Sequence, residues 1–209
     1  MLWYMYDRNG DTMCLLENKV EEYYKLNGEY MVYSDMLEYG FTKREIRRLV
    51  EKELLRKLVK GLYIYKNELE DEFFVYQFAN KNMIYSHETA CYLHGLTTVI
   101  PSRCNVTTYS GCHLRNNRLK VSYVKKELLY VGAVEHIDYF GNKIIVYDCE
   151  RTICDLIRNK KKVDTQVYYQ SLQSYFNNKK LDMRKLSKYG KLFNVESEIA
   201  EIYSLYKSA

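Results

Sequence analysis

Long apolar runs are missing. No stretch of the chain approaches the ~18 residues that a membrane-crossing helix requires, so nothing in it is expected to span a bilayer. There is no P-loop and no dinucleotide fingerprint, which argues against the enzyme classes built on those motifs. Proline is down to one residue, and no internal repeat or low-complexity tract stands out. Cysteine is present six times but never in C-x-x-C spacing. Asp7 and Arg8 fall where the apolar core of a secretory signal would have to continue. Buried free thiols in a reducing cytoplasm are therefore expected, without disulfides. What remains is ordinary for a globular chain: 209 residues, 47% apolar and 28% charged, long enough for one large or two small domains. Tyrosine is abundant at 23, which we read with the many Lys and Asn residues as coding-DNA base composition.

One stretch organises the rest, FTKREIRRLVEKELLRKLVKGLYIYK over 41–66. Thr42 and Glu45 have capping-box spacing, which marks a helix start. From there Ile46, Leu49, Val50 and Glu53 fall on one side, while Arg44, Arg47, Arg48 and Glu51 fall on the other. Beyond Leu54, two short runs rich in β-branched and aromatic residues flank Lys60-Gly61, the pattern of a hairpin. Nine Lys or Arg against three Glu leave this stretch at +6, whereas the whole chain carries +5. An isolated basic run is most often a solvated face. A basic helix coupled to a basic hairpin is instead the layout of a winged helix-turn-helix, with the helix in the major groove and the wing along the backbone.

The flanking sequence fits that order. Leu16, Val20, Tyr23 and Tyr24 make one face of a preceding helix, closed by Gly28. Tyr30-Met31-Val32 reads as a short strand. Ser34 is expected to cap a short helix ended by Gly40, with Phe41 as the core residue of the turn. Tyr33, Ser34 and Thr42 sit at element starts, where hydroxyls and backbone donors touch phosphates, core packing being an equal reading for Tyr33, and Lys43 opens the basic helix. Residues 1–13 show no period and are expected to be either frayed or packed opportunistically through Trp3 and Tyr4. The DNA-binding domain is then 14–66 and a second domain 67–209. The acidic NELEDE at 67–72 marks the boundary, and the apolar helix that follows, about 72–80, is expected to lie buried between the halves.

The second domain reads as mixed, giving an α+β chain overall. Strands are expected at 105–109, 119–124, 132–139 and 143–147, the last two joined as a hairpin across 140–142. Ser86 is a plausible cap for a helix ended by Gly95, and Asp148 for one carrying the core stripe Ile153, Leu156 and Ile157. Three more amphipathic helices follow, about 164–176, 182–192 and 196–206. His87, Cys91 and His94 share a helical face, but a lone His-Cys-His face is usually core rather than zinc, so no metal is expected. Asp148, Glu150, Glu88 and the two histidines admit a metal-dependent nuclease reading. Capping already explains Asp148 and Glu150, and neighbouring Ser86 and His87 make no triad, so no catalytic residue and no cofactor is expected. A second alternative is a ligand-responsive winged-helix repressor, which calls for a buried apolar pocket at His87 or Asp155.

Three stretches taken together, GLYIYK (61–66), SHETACYLHGLT (86–97) and VYDCERTICDLIR (146–158), resemble the AbiEi antitoxins of type IV toxin–antitoxin and phage abortive-infection systems. The resemblance covers most of the chain from about residue 14; residues 1–13 depart from the family's usual start. It implies a cytoplasmic autorepressor whose winged helix-turn-helix binds inverted repeats in its own promoter as double-stranded DNA. It also implies a C-terminal domain that counteracts a nucleotidyltransferase-like toxin without a stable complex being required. By that resemblance Arg44, Arg47 and Arg48 face DNA and Arg56, Lys57 and Lys60 lie on the wing. Ser86, His87, Glu88, His94, Asp148, Arg151, Thr152 and Asp155 belong to the antitoxic half.

Overall fold

The computed structural model describes residues 8–114, 116–178 and 181–207. The chain is α+β and divides into two compact units, Met1–Ala79 and Asn80–Ala209.

The first unit runs α1 (Arg8–Asn27), β1 (Tyr30–Val32), α2 (Tyr33–Tyr39), α3 (Lys43–Glu51), β2 (Leu55–Val59), β3 (Leu62–Tyr65) and α4 (Glu72–Ala79). The strands form one antiparallel sheet in the order β1-β3-β2, which is the winged helix-turn-helix topology. The turn between α2 and α3 is set by three consecutive residues. Gly40, at φ 107, stops α2 in the left-handed region, and the amide of Phe41 reaches back to the carbonyl of Met36 at 2.9 Å. Phe41 itself is buried. Thr42 then starts α3 through a reciprocal capping box: its Oγ1 accepts from the Glu45 amide at 3.2 Å, and its own amide donates to Glu45 Oε2 at 2.7 Å. Leu16, Val20 and Tyr23 of α1 meet Met36, Phe41, Ile46, Leu49, Leu55 and Tyr65 in one core. Burying Ile46 and Leu49 contributes about 1.5–3 kcal/mol each.

Several expectations for this unit are corrected. Residues 8–13 are helical rather than frayed, because a helix docked by one apolar face propagates beyond it; residues 1–7 lie outside the described residues. Ser34 does not cap α2. The Tyr33 amide donates to Gly61 O at 2.9 Å, so the helix begins directly at the end of β1, with Val32 in the cap position. Glu53 is not on the apolar face of α3: the helix ends at Glu51, and Glu53 is exposed in the following turn at φ 57. The acidic stretch 67–72 belongs to the first unit instead of separating two. Tyr24 Oη donates to Glu68 Oε1 at 2.7 Å, Arg56 Nη1 donates to Glu70 Oε2 at 3.0 Å, and the Asp71 amide donates to Tyr30 Oη at 2.6 Å. With the Phe74 ring tilted against Tyr30 at 4.6 Å, this brings α4 into the same unit, and within α4 only Val75 is buried.

The second unit contains β4 (Ile84–Tyr85), α5 (His87–Leu93), β5 (Cys104–Tyr109), β6 (Leu119–Val124), β7 (Ala133–Ile137), β8 (Lys143–Tyr147), α6 (Cys149–Arg158), α7 (Thr165–Phe176), α8 (Met183–Phe193) and α9 (Glu196–Lys207). Its sheet has the order β6-β5-β4-β8-β7. The pairs β5–β6 and β4–β8 are parallel, while β4–β5 and β7–β8 are antiparallel. The expected strands and the closing hairpin are present, but the middle strand, β4, was not anticipated. At its centre of gravity lies α6, whose residues from Glu150 to Ile157 are all buried, packed by α5, α7, α8 and α9. Ile153, Leu156 and Ile157 join Leu172, Tyr175, Phe176, Leu186 and Phe193 in the main core. All six cysteines are free, yet only Cys91 and Cys154 are buried, so the expectation of buried thiols holds for two of them. Burial pushes both of those thiols up to about 12. Among the described residues no helix is long and apolar enough to cross a membrane.

Candidate nucleic-acid interface and the polar network of the second unit

The capping box fixes where α3 starts, and burial of Ile46 and Leu49 fixes how it rolls. Arg44 and Arg47 are thereby left exposed and Arg48 half-buried at the rim. These three arginines and Glu51 line one shallow surface recess. Lys43 is exposed beside them at the first helical position. On the hairpin, Lys57 and the turn residue Lys60 are exposed, and a register shift between Lys57 and Val59 kinks the ribbon before its tip. Two of the expected contacts carry partners of their own. Arg47 Nε bonds Glu51 Oε1 at 2.8 Å, an exposed i,i+4 pair of small worth that phosphate can displace. Arg56 is held by Glu70, so on the wing Lys57 and Lys60 are the cations that pair with no carboxylate among the described residues.

Three residues of the expected set turn out to do local structural work. Tyr33 packs its ring toward Tyr63, 6.4 Å away, against the core. Ser34 is exposed but donates to Asp35 Oδ1 at 2.8 Å. Thr42 is exposed and committed to the cap, whose hydrogen bonds from Thr42 hold the Glu45 carboxyl below its usual range. Lys19 escaped sequence reading altogether. Its ammonium donates to Gly40 O at 2.8 Å, pairs with Glu45 at 3.4 Å and sits 4.4 Å over the Phe41 ring. It locks the turn that aims α3. Only its spacing from Leu16 and Tyr23 along α1 could have drawn attention to it.

In the second unit the eight polar residues singled out from sequence are brought close together, though nearly all are buried. Ser86 does not cap α5 with its side chain; its Oγ accepts from Thr107 Oγ1 at 2.9 Å and lies 2.9 Å from His87 Nδ1. The Asn159 amide approaches His87 Nε2 at 3.1 Å, and an amide nitrogen can only donate, which puts the ring proton on Nδ1. His87 also holds φ at 50, a conformation costly for a residue with a Cβ. Burial lowers its pKa, against the opposing charge of Asp155. Glu88 accepts from Asn105 Nδ2 at 3.2 Å and from the Asp164 amide at 3.0 Å, tying α5 to β5 and to the start of α7. His94 Nε2 donates to Tyr147 O at 2.7 Å, and Thr152 Oγ1 donates to the same carbonyl at 3.2 Å.

Arg151 is the centre of the network and is fully buried, not part of a solvated polar face. Its Nε bonds Asp155 Oδ2 at 3.0 Å, and its Nη1 donates to Val131 O at 2.9 Å and Leu128 O at 3.3 Å. The guanidinium lies between two rings, 4.1 Å from Tyr147 and 3.9 Å from Phe193. Gly132 makes room for it: a Cβ there would stand 2.7 Å from Arg151 Cβ. Asp148 caps α6 with Oδ1 on the Arg151 amide at 2.8 Å, and its Oδ2 accepts from Tyr189 Oη at 3.2 Å. The ammonium of Lys185 bridges Asp148 at 3.0 Å and Glu150 at 3.5 Å, which are the carboxylates a nuclease reading would assign to a metal. Among the described residues no three His, Cys, Asp or Glu side chains are placed to share a metal ion.

The recess that reaches His87 is polar, lined also by Glu88, Asn105, Lys120 and Asn159, with a volume of about 40 Å³. That is room for one water rather than for an effector.

Scans against protein-family models and against curated proteins return no match. Among solved structures the chain is similar to the crystal structure of the RV2827C protein from Mycobacterium tuberculosis, with a TM-score of 0.63 and 11% identity, over 92% of this chain and 81% of that one. At that identity the likeness concerns the fold.

Proposed function

We propose that the chain is a bifunctional antitoxin: a DNA-binding repressor of its own operon whose second unit counteracts a nucleotidyltransferase-like toxin. The observation that carries the DNA-binding half is the solvent face of α3. Arg44, Arg47 and Arg48 line one recess on a helix that is capped, rolled by its buried stripe and flanked by a hairpin bearing Lys57 and Lys60. Guanidinium groups on a helix of this kind suit bidentate contacts to guanine edges in the major groove, and wing lysines suit phosphates.

Support for the antitoxic half comes from the resemblance of 86–97 and 146–158 to AbiEi antitoxins. Those two stretches are packed on one another as α5 and α6, and the Asn159 side chain links them, donating to His87 Nε2 and to the Asp155 carbonyl at 2.9 Å. The same burial makes the network a scaffold for a surface, not an exposed reactive site.

The test separates the halves. The Arg47→Ala/Arg48→Ala protein should lose its gel shift on the duplex upstream of its own gene, by at least about tenfold in affinity. It should still rescue growth when co-expressed with the neighbouring nucleotidyltransferase-like gene product. Retention of the shift refutes the recognition-helix assignment, and failure of the wild-type chain to rescue refutes the antitoxin assignment.

A further inference from the structure

We infer that the second unit carries a binding site for a single nucleoside phosphate, in the recess between the ends of β5, β6, α6 and α8. This goes beyond the repressor and antitoxin reading and does not rest on it. The recess has a volume of about 560 Å³, within the range of small-ligand sites. Ser110 directly follows β5 and Lys125 directly follows β6. These strands are parallel, so the recess opens at their carboxyl ends, where open α/β sheets bind ligands.

Its charge is one-sided. Lys125 and Arg158 line it, both exposed, and no Asp or Glu does. Several other cations of this unit are engaged: Arg151 by Asp155, Lys185 by Asp148 and Glu150, Lys120 by Glu88 and Lys143 by Glu135. Lys125 and Arg158 thus form an anion site whose ligand is not supplied by the chain among its described residues. Phosphate is the ligand that a guanidinium and an ammonium together suit best.

The remaining lining calls for more than phosphate. The Tyr123 ring is 53% exposed at the rim, a platform on which a base can stack. The side chains of Ser110 and Asn194 add hydrogen-bonding groups. The wall opposite is rigid: Phe193 is buried against the Arg151 guanidinium, and the Leu128 carbonyl accepts from the same group. Phosphate would therefore sit on Lys125 and Arg158, with the base over Tyr123.

The test is isothermal titration calorimetry of the full-length chain with ATP, GTP, CTP and UTP in turn, and with inorganic triphosphate. At least one nucleotide should bind one to one, at least about tenfold more tightly than triphosphate, since stacking on an aromatic ring adds that order of affinity. Lys125→Glu/Arg158→Glu, and the milder Lys125→Gln/Arg158→Gln, should each weaken binding by at least about tenfold. Tyr123→Ala should weaken it by about fivefold or more. The Arg47→Ala/Arg48→Ala protein should bind the nucleotide as the wild type does, and the recess variants should keep duplex binding. No heat with any nucleotide at millimolar concentration overturns the inference. So does triphosphate binding as tightly as the nucleotides, or a signal lost with Arg47 and Arg48 but kept in both recess variants.

Discussion

Salt should titrate the proposed DNA-binding surface in a way that counts its cations. Six side chains on α3 and the wing are placed to reach a duplex: Lys43, Arg44, Arg47, Arg48, Lys57 and Lys60. Arg56 is left out of that set because Glu70 holds it at 3.0 Å. Six neutralised phosphates give a slope of log affinity against log salt of about −5.4. A fourfold rise, from about 50 to about 200 mM, then lowers affinity on the order of a thousandfold. Removing Arg47 and Arg48 should flatten the slope to about −3.6, which reduces the same loss to roughly 150-fold. Glu70→Gln, which releases Arg56, should steepen it by about 0.9. Fluorescence anisotropy with one labelled duplex from the upstream region, repeated across the salt series for the three proteins, reads all of this. A wild-type slope shallower than about −2, or one that Arg47→Ala/Arg48→Ala leaves unchanged, refutes the assignment of these residues to the interface.

Two further outcomes probe the buried network. Arg151→Met should destabilise the chain by about 3–5 kcal/mol in urea unfolding followed by circular dichroism, since it leaves the 3% exposed Asp155 without its cation. Adding Asp155→Leu should recover more than about 1 kcal/mol of that loss, and a single variant within about 1 kcal/mol of wild type refutes a structural role for the pair. Burial of His87 lowers its pKa below the ordinary imidazole value of 6.5. The unfolded chain therefore binds this proton first: the stabilisation is present above 6.5 and is lost as pH falls through the lower, folded-state value, at up to about 1.4 kcal/mol per pH unit. His87→Gln should shrink that acid-side slope in urea midpoints, and an unchanged slope would show that His87 does not carry it.

What sequence made legible follows from how local each interaction is. The Thr42–Glu45 box, the stop at Gly40 and the stripe Ile46 and Leu49 all close within a few residues, so α3 could be placed and oriented from sequence. The Lys60-Gly61 hairpin is equally local. The middle strand β4 is only two residues long, and its pairing lies with Val106, Thr107 and Val146, far along the chain, so no period announces it. Ser34 shows the opposite failure: a good capping residue is bypassed because a tertiary hydrogen bond, from Tyr33 to Gly61, goes with a helix that starts two residues earlier, with Val32 in the cap position. The acidic run 67–72 looked like a boundary by composition, yet Glu68, Glu70 and Asp71 each find a partner on Tyr24, Arg56 or Tyr30.

Charge is where the difference between sequence and structure matters most for function. The winged helix announces itself because nine cations are clustered within the single stretch 41–66. Whether a cation is available to a ligand is a separate property, decided by which carboxylates fold against it. Arg151, four residues from Asp155, has helical ion-pair spacing, but Tyr147 and Phe193 close over it and remove it from any partner's reach. Lys125 and Arg158 lie far apart in sequence, but the sheet and α6 bring them to one recess lined by no carboxylate among the described residues. A cation buried with its counter-ion costs desolvation and has nothing left to offer a ligand, whereas two solvated cations with no counter-ion hold a standing attraction for an anion. Local net charge therefore points readily to the proposed duplex-binding helix and misses the proposed small-anion site, which is assembled from distant elements.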